Sequence, residues 1–137
     1  SGSTINEPIG RHPKQRTKQA VTDTGKEAIT NFKVQEKLGG YSLLNVSLET
    51  GRTHQIRVHL AFINFPILGD SVYGGRRKFA AGTSETAKKE ILKFTRQALH
   101  AEKLEFTHPA SGKKVNYSAK IPKDLKELIE FLKSSNE

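Results

Sequence analysis

ETGRTHQIRVHLAFINFPILGDSVYGG, residues 49–75, contains the segment whose periodicity sets how the rest of the chain must pack. A helix can begin near Thr53, whose hydroxyl suits an N-cap, and must stop by Phe65 because Pro66 follows. At about 100° per residue, Ile56, Leu60 and Ile63 form one apolar stripe, and Val58 and Phe62 form a second nearly opposite it. A helix apolar on two faces belongs between two layers. The strip between those faces holds His54, Arg57, Ala61 and Asn64. A guanidinium on a largely buried helix cannot lose its proton, so Arg57 needs a carboxylate, a phosphate or several carbonyls to offset its desolvation. Two readings of Arg57 stay open on pattern alone: a functional cation, or one half of an internal salt bridge.

Outward from this helix the periods change. Ala28, Thr30, Phe32 and Val34, then Ser42, Leu44, Val46 and Leu48, alternate with neighbours of the other face on either side of Gly39-Gly40, which predicts a β-hairpin. A second hairpin is expected from Leu99 to Phe106 and Lys114 to Lys120, turning through HPASG. Pro122 opens a segment in which Leu125, Leu128, Ile129 and Leu132 recur at helical spacing, and a shorter helix is expected from Glu85 to Thr95. Upstream, IGRHPKQRTKQAV (residues 9–21) reads as an extended basic arm, with Arg11, Lys14, Arg16 and Lys18 unrelieved by any acid and Pro13 opposing a regular element. Residues 1–4, Ser-Gly-Ser-Thr, read as an appended or frayed end outside the fold, leaving residues 5–137 as one unit.

The 137 residues carry 23 Lys and Arg against 14 Asp and Glu, a net charge of +9, and no cysteine. The absence of cysteine removes disulfide frameworks, thiol nucleophiles and thiolate-ligated zinc. No run approaches the ~18 apolar residues of a membrane span. The positive surplus favours a polyanion, nucleic acid before an acidic membrane. It is concentrated in the arm and in residues 74–97, where seven basic side chains, Arg76, Arg77 and Lys78 among them, face two acidic ones. A metal reading of the histidines fails on spacing. His54 and His59 lie five apart, about 140° around a helix, with Gln55 where a zinc-protease motif would place its glutamate. The glycines of GDSVYGG match neither the P-loop nor the dinucleotide fingerprint.

The runs GRTHQIRVHL and PILGDSVYGG closely resemble the second half of the RluA/RluD-type pseudouridine synthases, which isomerise uridine to pseudouridine in structured RNA. PIGRHPKQRTKQAV, RQALHAEKLEFTHPASGKKV and IPKDLKELIEFL extend the likeness over nearly the whole chain in the family's order. The first of these and the GGRRK loop look most like the RluD branch, whose substrate is large-subunit ribosomal RNA. The resemblance implies an α+β fold, a mainly antiparallel or mixed sheet with flanking helices, forming the C-terminal portion of the catalytic domain. It implies no cofactor and no metal; with no charged-then-apolar leader and no apolar span in the sequence, the chain is expected in the cytoplasm, as a monomer and without membrane association. Arg57 matches the arginine that in this family pairs with the catalytic aspartate and helps hold the flipped-out nucleotide. Leu99 matches the apolar residue packed near the target base. Arg52, His54 and Gln55 share Arg57's motif and are expected to support the loop and helix start beside the substrate. Arg11, Lys14, Arg16, Arg76, Arg77 and Lys78 are expected to meet RNA phosphates. Phe62 and Phe65 stand where relatives often have histidine.

One departure is larger. Members carry an HRLDK-like motif with the essential aspartate and a KxYxA-like motif with an active-site tyrosine, and neither occurs here. Asp70 matches a turn position of the family and is not read as a substitute nucleophile, nor do Tyr41 and Tyr73 match the missing tyrosine. We therefore expect a portion that is inactive alone, whose Arg57 lacks its family partner and is solvated or bound to an anion. A non-catalytic RNA-binding module, or a subunit completed by an amino-terminal partner, are the alternatives.

Overall fold

The computed structural model describes residues 2–74, 79–80, 82–100, 103–107, 114–118 and 120–134. Among these, five strands are followed by two helices, two more strands and a last helix, in three antiparallel sheets, the expected α+β class. Strands β1 (Gly2–Asn6), β4 (Ile29–Leu38) and β5 (Tyr41–Leu48) form one sheet in the order β1-β4-β5. β4 and β5 are the predicted hairpin, closed by Gly39 at φ 71, which only a residue without Cβ adopts freely. A bulge between Val34 and Glu36 shifts the register, so that Leu43 pairs Glu36 while Phe32 and Val34 face Val46 and Leu44.

Two expectations are corrected at the amino-terminal end. Residues 2–4 are not outside the fold: Gly2, Ser3 and Thr4 pair with Lys33, Phe32 and Asn31, and Thr4 Oγ1 donates to Asn31 Oδ1 at 2.6 Å. Alternation in β4 signals a strand but not which partner covers its edge. The basic arm is not extended either. β2 (Ile9–Arg11) and β3 (Gln19–Val21) form a small hairpin. Its tip is held by His12, whose Nδ1 accepts from the Lys14 and Gln15 amides at 3.1 and 3.0 Å. Pro13 sits in that turn, so it disturbs no ladder.

Helix α1 (Gln55–Phe62) occupies the predicted place but starts differently. Thr53 does not cap it: the N-cap is His54, left-handed at φ 55, with no side-chain cap bond. Its end is a Schellman turn. Asn64 takes φ 69, its amide reaches Ala61 O at 3.0 Å, and the Phe65 amide reaches Leu60 O at 2.9 Å. The two-faced burial is only half realised, because Val58 and Leu60 are buried while Phe62 is 51% exposed. Helices α2 (Glu85–Lys93) and α3 (Lys123–Ser134) match expectation, with Ser84 capping α2 by accepting from the Ala87 amide at 3.1 Å. Their faces meet Leu38 in one core cluster of Ile91, Phe94, Leu125, Leu128 and Leu132. β6 (Lys103–Thr107) and β7 (Lys114–Ser118) pair as the second predicted hairpin, whose turn lies outside the described residues.

Candidate functional site

Helix α1 is fixed to the sheet by a buried polar seam. Gln55, 2% exposed, has all four side-chain positions filled. Its Oε1 accepts from Thr50 Oγ1 and the Arg52 amide at 2.8 and 2.9 Å, and its Nε2 donates to Ile29 O and Thr30 Oγ1 at 3.0 and 2.9 Å. His59, fully buried one turn later, has Nε2 at 2.8 Å from Glu7 O and Nδ1 at 2.7 Å from Thr30 Oγ1. A carbonyl only accepts, so Nε2 carries the proton and Nδ1 accepts from the Thr30 hydroxyl. These bonds tie the helix to β4 and to the residue after β1, which fixes where Arg57 emerges.

On the neighbouring side of α1, Arg57 donates from Nε to Asp70 Oδ2 at 2.9 Å and from Nη2 to Asp70 Oδ1 at 3.0 Å. The Arg57 side chain is 13% exposed and that of Asp70 1%. Asp70 Oδ1 also accepts from the Val72 and Tyr73 amides, both at 3.1 Å, so the carboxylate closes its own turn while gripping the guanidinium. That turn brings the Tyr73 ring to the guanidinium, with Arg57 Cζ 4.9 Å from the ring centroid. The Tyr73 hydroxyl lies 2.7 Å from His54 Nδ1 and accepts from the Gln19 amide at 3.0 Å, while Lys18 Nζ stands 6.0 Å from the ring centroid. One ring thus joins Arg57, the left-handed His54 and the basic hairpin.

Burial pushes the Asp70 carboxyl up, but the bonds from Arg57, those from the Tyr73 and Val72 amides and the guanidinium charge outweigh it, leaving it below its usual range. The hydrogen bond to Asp70 raises Arg57 further above its already high value, against the opposing effect of burial. Both groups are ionised at neutral pH. Nε and one Nη2 hydrogen are spent on Asp70, and among the described residues Nη1 makes no hydrogen bond. The unspent edge suits a second carboxylate or a phosphate oxygen.

The structure corrects the expectation that Arg57 is solvated or sits on a bound anion: its partner is Asp70, thirteen residues on, brought back by the reversal at Asn64, Phe65 and Pro66. Asp70 was legible as a carboxylate near the helix, and the Asp-x-x-Tyr spacing, which lets it bind two following amides, is the signal that marks it. Of the other expected residues, His54 lies in the cluster. Gln55 is saturated internally, and Arg52 Nε donates to Glu27 O at 2.7 Å, so both position the loop from within. Arg11, Lys14 and Arg16 are exposed on the hairpin. Leu99, half-buried, lines with Asp70 an apolar cleft of about 640 Å³. The loop carrying Leu99 is held close: the Ala98 amide donates to Leu68 O at 2.8 Å, and Gly69, at φ 85, lies where a Cβ would collide with Arg96 O. Arg76, Arg77 and Lys78 lie outside the described residues. Among the described residues no group of His, Asp and Glu could hold a metal ion, and no helix is long and apolar enough to cross a membrane.

Residues 1–62 match the family model described as RNA pseudouridylate synthase. Over 136 residues the chain is 47% identical to the ribosomal large subunit pseudouridine synthase D of Xanthomonas campestris pv. campestris, covering 99% of this chain and 41% of that protein. It is 47% identical over 137 residues to the protein of the same name from Escherichia coli (strain K12), covering 42% of it. The chain thus spans about two-fifths of the length of these curated relatives. Human RNA Pseudouridylate Synthase Domain Containing 4 shares the fold, with a TM-score of 0.68 at 24% identity over 96% of this chain and 56% of that one.

Proposed function

The chain belongs to the RNA pseudouridylate synthase family, of RluA/RluD type, and we propose that it supplies the arginine side of an active site that isomerises uridine in large-subunit ribosomal RNA. The observation that carries this reading is the Arg57 guanidinium. It is fixed in plane by Asp70 and over its face by Tyr73, with Nη1 left, among the described residues, for a further anion. In the reaction the bond from ribose C1′ to uracil N1 is exchanged for one to C5, the C5 proton passes to solvent, and N1 takes up a proton. A catalytic carboxylate is required, and the HRLDK-like motif that carries it in the family does not occur in these 137 residues. Such a carboxylate would lie against the unspent edge of Arg57, which would keep it ionised by lowering its pKa by ~1–3 units. The base must leave its stack at a cost of a few kcal/mol. Arg11, Lys14 and Arg16 on the hairpin, joined to the site through Tyr73, would offset that cost with salt-dependent phosphate contacts. Leu99 would pack beside the base. The proposed chemistry would need no cofactor, and a ribosomal RNA substrate would fit a cytoplasmic location.

RNA tritiated at uracil C5 tests this. The 137-residue chain alone is expected to release no tritium above a heat-killed control. A chimera in which it replaces the matched segment of the Escherichia coli relative is expected to release it, and R57A in the chimera to abolish release. Release by the chain alone, or an R57A chimera with full rate, overturns the reading. A second reading is a subunit completed in trans by an amino-terminal partner. It is favoured by the apolar cleft along Ile56, Leu60 and Ile63, and predicts activity on mixing the chain with the upstream portion of the relative.

A further inference from the structure

We propose that Asp70 and Tyr73 are positioning residues for the reaction, a two-sided holder that aims the unspent edge of Arg57; the proposal rests on the role given to Arg57 above. A guanidinium on a flexible stem loses rotamer freedom when it must point one way, and a misplacement of about 1 Å can cost on the order of 100-fold in rate. Asp70 removes that freedom in plane. Two parallel bonds, 2.9 and 3.0 Å, leave the guanidinium no rotation about its own stem without breaking one of them. The carboxylate is held in turn by the Val72 and Tyr73 amides and is almost wholly buried, so it cannot follow a wandering arginine.

Tyr73 removes the freedom out of plane. Its ring lies over the guanidinium, and its hydroxyl is pinned between His54 Nδ1 and the Gln19 amide. His54 pays for this contact with a left-handed backbone, a conformation unfavourable for a residue with Cβ, which persists where the surroundings determine it. The turn itself is seated against the 96–98 loop, by the close approach of Gly69 to Arg96 O and by the Ala98 amide on Leu68 O, which keeps Asp70 near Leu99. Neither Asp70 nor Tyr73 has a spare atom for the substrate's reaction: the Asp70 oxygens are committed to Arg57 and two amides, and the Tyr73 hydroxyl to two partners. Their effect therefore passes through Arg57.

The chimera described above tests the proposal by steady-state kinetics of tritium release. D70N, which keeps the turn-closing oxygen but loses one acceptor and the charge, is expected to lower kcat about 100-fold with KM for RNA within about threefold, and D70E to restore part of the rate. Y73L is expected to lower kcat about tenfold, and Y73F, which keeps the ring, less than threefold. A D70N chimera with full kcat beside a dead R57A chimera overturns the proposal and leaves the functional reading intact, as does a loss confined to KM. An R57A chimera with full rate overturns both. Should D70N fail to fold by circular dichroism, the Y73L and Y73F pair decides: equal, undiminished rates overturn the proposal.

Discussion

On its inner face, α1 presents Gln55 and His59 with every side-chain hydrogen-bonding position occupied, whereas on its outer face Ile56, Leu60 and Ile63 line a cleft of about 640 Å³. The inner face is closed by atoms of this chain down to the tautomer of a histidine. The outer one shares its cleft with Phe32, Val34, Leu44 and Val46 of the sheet, apolar side chains that ask only for cover. The difference separates two kinds of information. Directional bonds are specific to single partners and are complete within these residues, while apolar burial is non-directional and accepts any cover of fitting shape. The site joins the two: Arg57 takes its aim from Asp70 and Tyr73, on an element that the polar seam holds in place, while Asp70 and Leu99 reach the rim of the cleft.

Breaking the closed side should cost most. D70A leaves the Arg57 guanidinium buried without its carboxylate, and we expect it to destabilise the chain by about 3–5 kcal/mol in urea unfolding. A loss under 1 kcal/mol would mean the guanidinium finds water and the site is less rigid than the geometry requires. T30V comes next. It keeps shape but withdraws the acceptor for Gln55 Nε2 and the donor for His59 Nδ1, an expected cost of about 1–3 kcal/mol. Amide exchange at Val58 and His59 should then rise together, since one seam holds both.

The sequence carried the apolar half of this picture better than the polar half. The β4–β5 hairpin, α3 and the place of α1 follow from period and turn residues, because Gly39, Pro66 and the leucines of α3 each act locally. The residues 2–4 strand was missed because its pairing with β4 is non-local and its side chains are small and exposed. The N-cap falls one residue later than Thr53 because His54 adopts a left-handed backbone held by its contact with Tyr73, nineteen residues on. Arg57 was legible as a cation in need of a partner. That the partner is Asp70 depends on a chain reversal, which spacing alone does not fix.

Acid should weaken the hold of Asp70 on Arg57. The folded Asp70 carboxyl lies below its unfolded value of about 3.9, so its contribution is fully present above that value and is lost as pH falls through the folded one. Asp124, held low by the exposed Arg96, loses its contribution in the same range, which makes the useful measurement a difference. The stability gap between the wild type and D70N is expected to be constant from neutral pH down to about 5 and to narrow below about 4. A gap that stays constant into strong acid would place the titrating carboxylate elsewhere.

The smallest effect is expected on the outer side, at Phe65, which is 71% exposed at the end of α1. Its amide closes the Schellman turn on Leu60 O, a bond that survives any side chain, so Phe65→Ser removes little more than partial contact with the helix end. In the isolated chain this should change urea stability by no more than about 0.5 kcal/mol, the usual range for a surface position. In the chimera, where the upstream portion of the relative is present, the same substitution should cost more if that portion reaches the rim of the cleft. The two measurements together ask whether the outer face of α1 is a surface or an interior lacking its lid. Equal, small losses would mean that this end of the helix faces solvent in both settings, and the contrast between the faces would then belong to the 137 residues themselves.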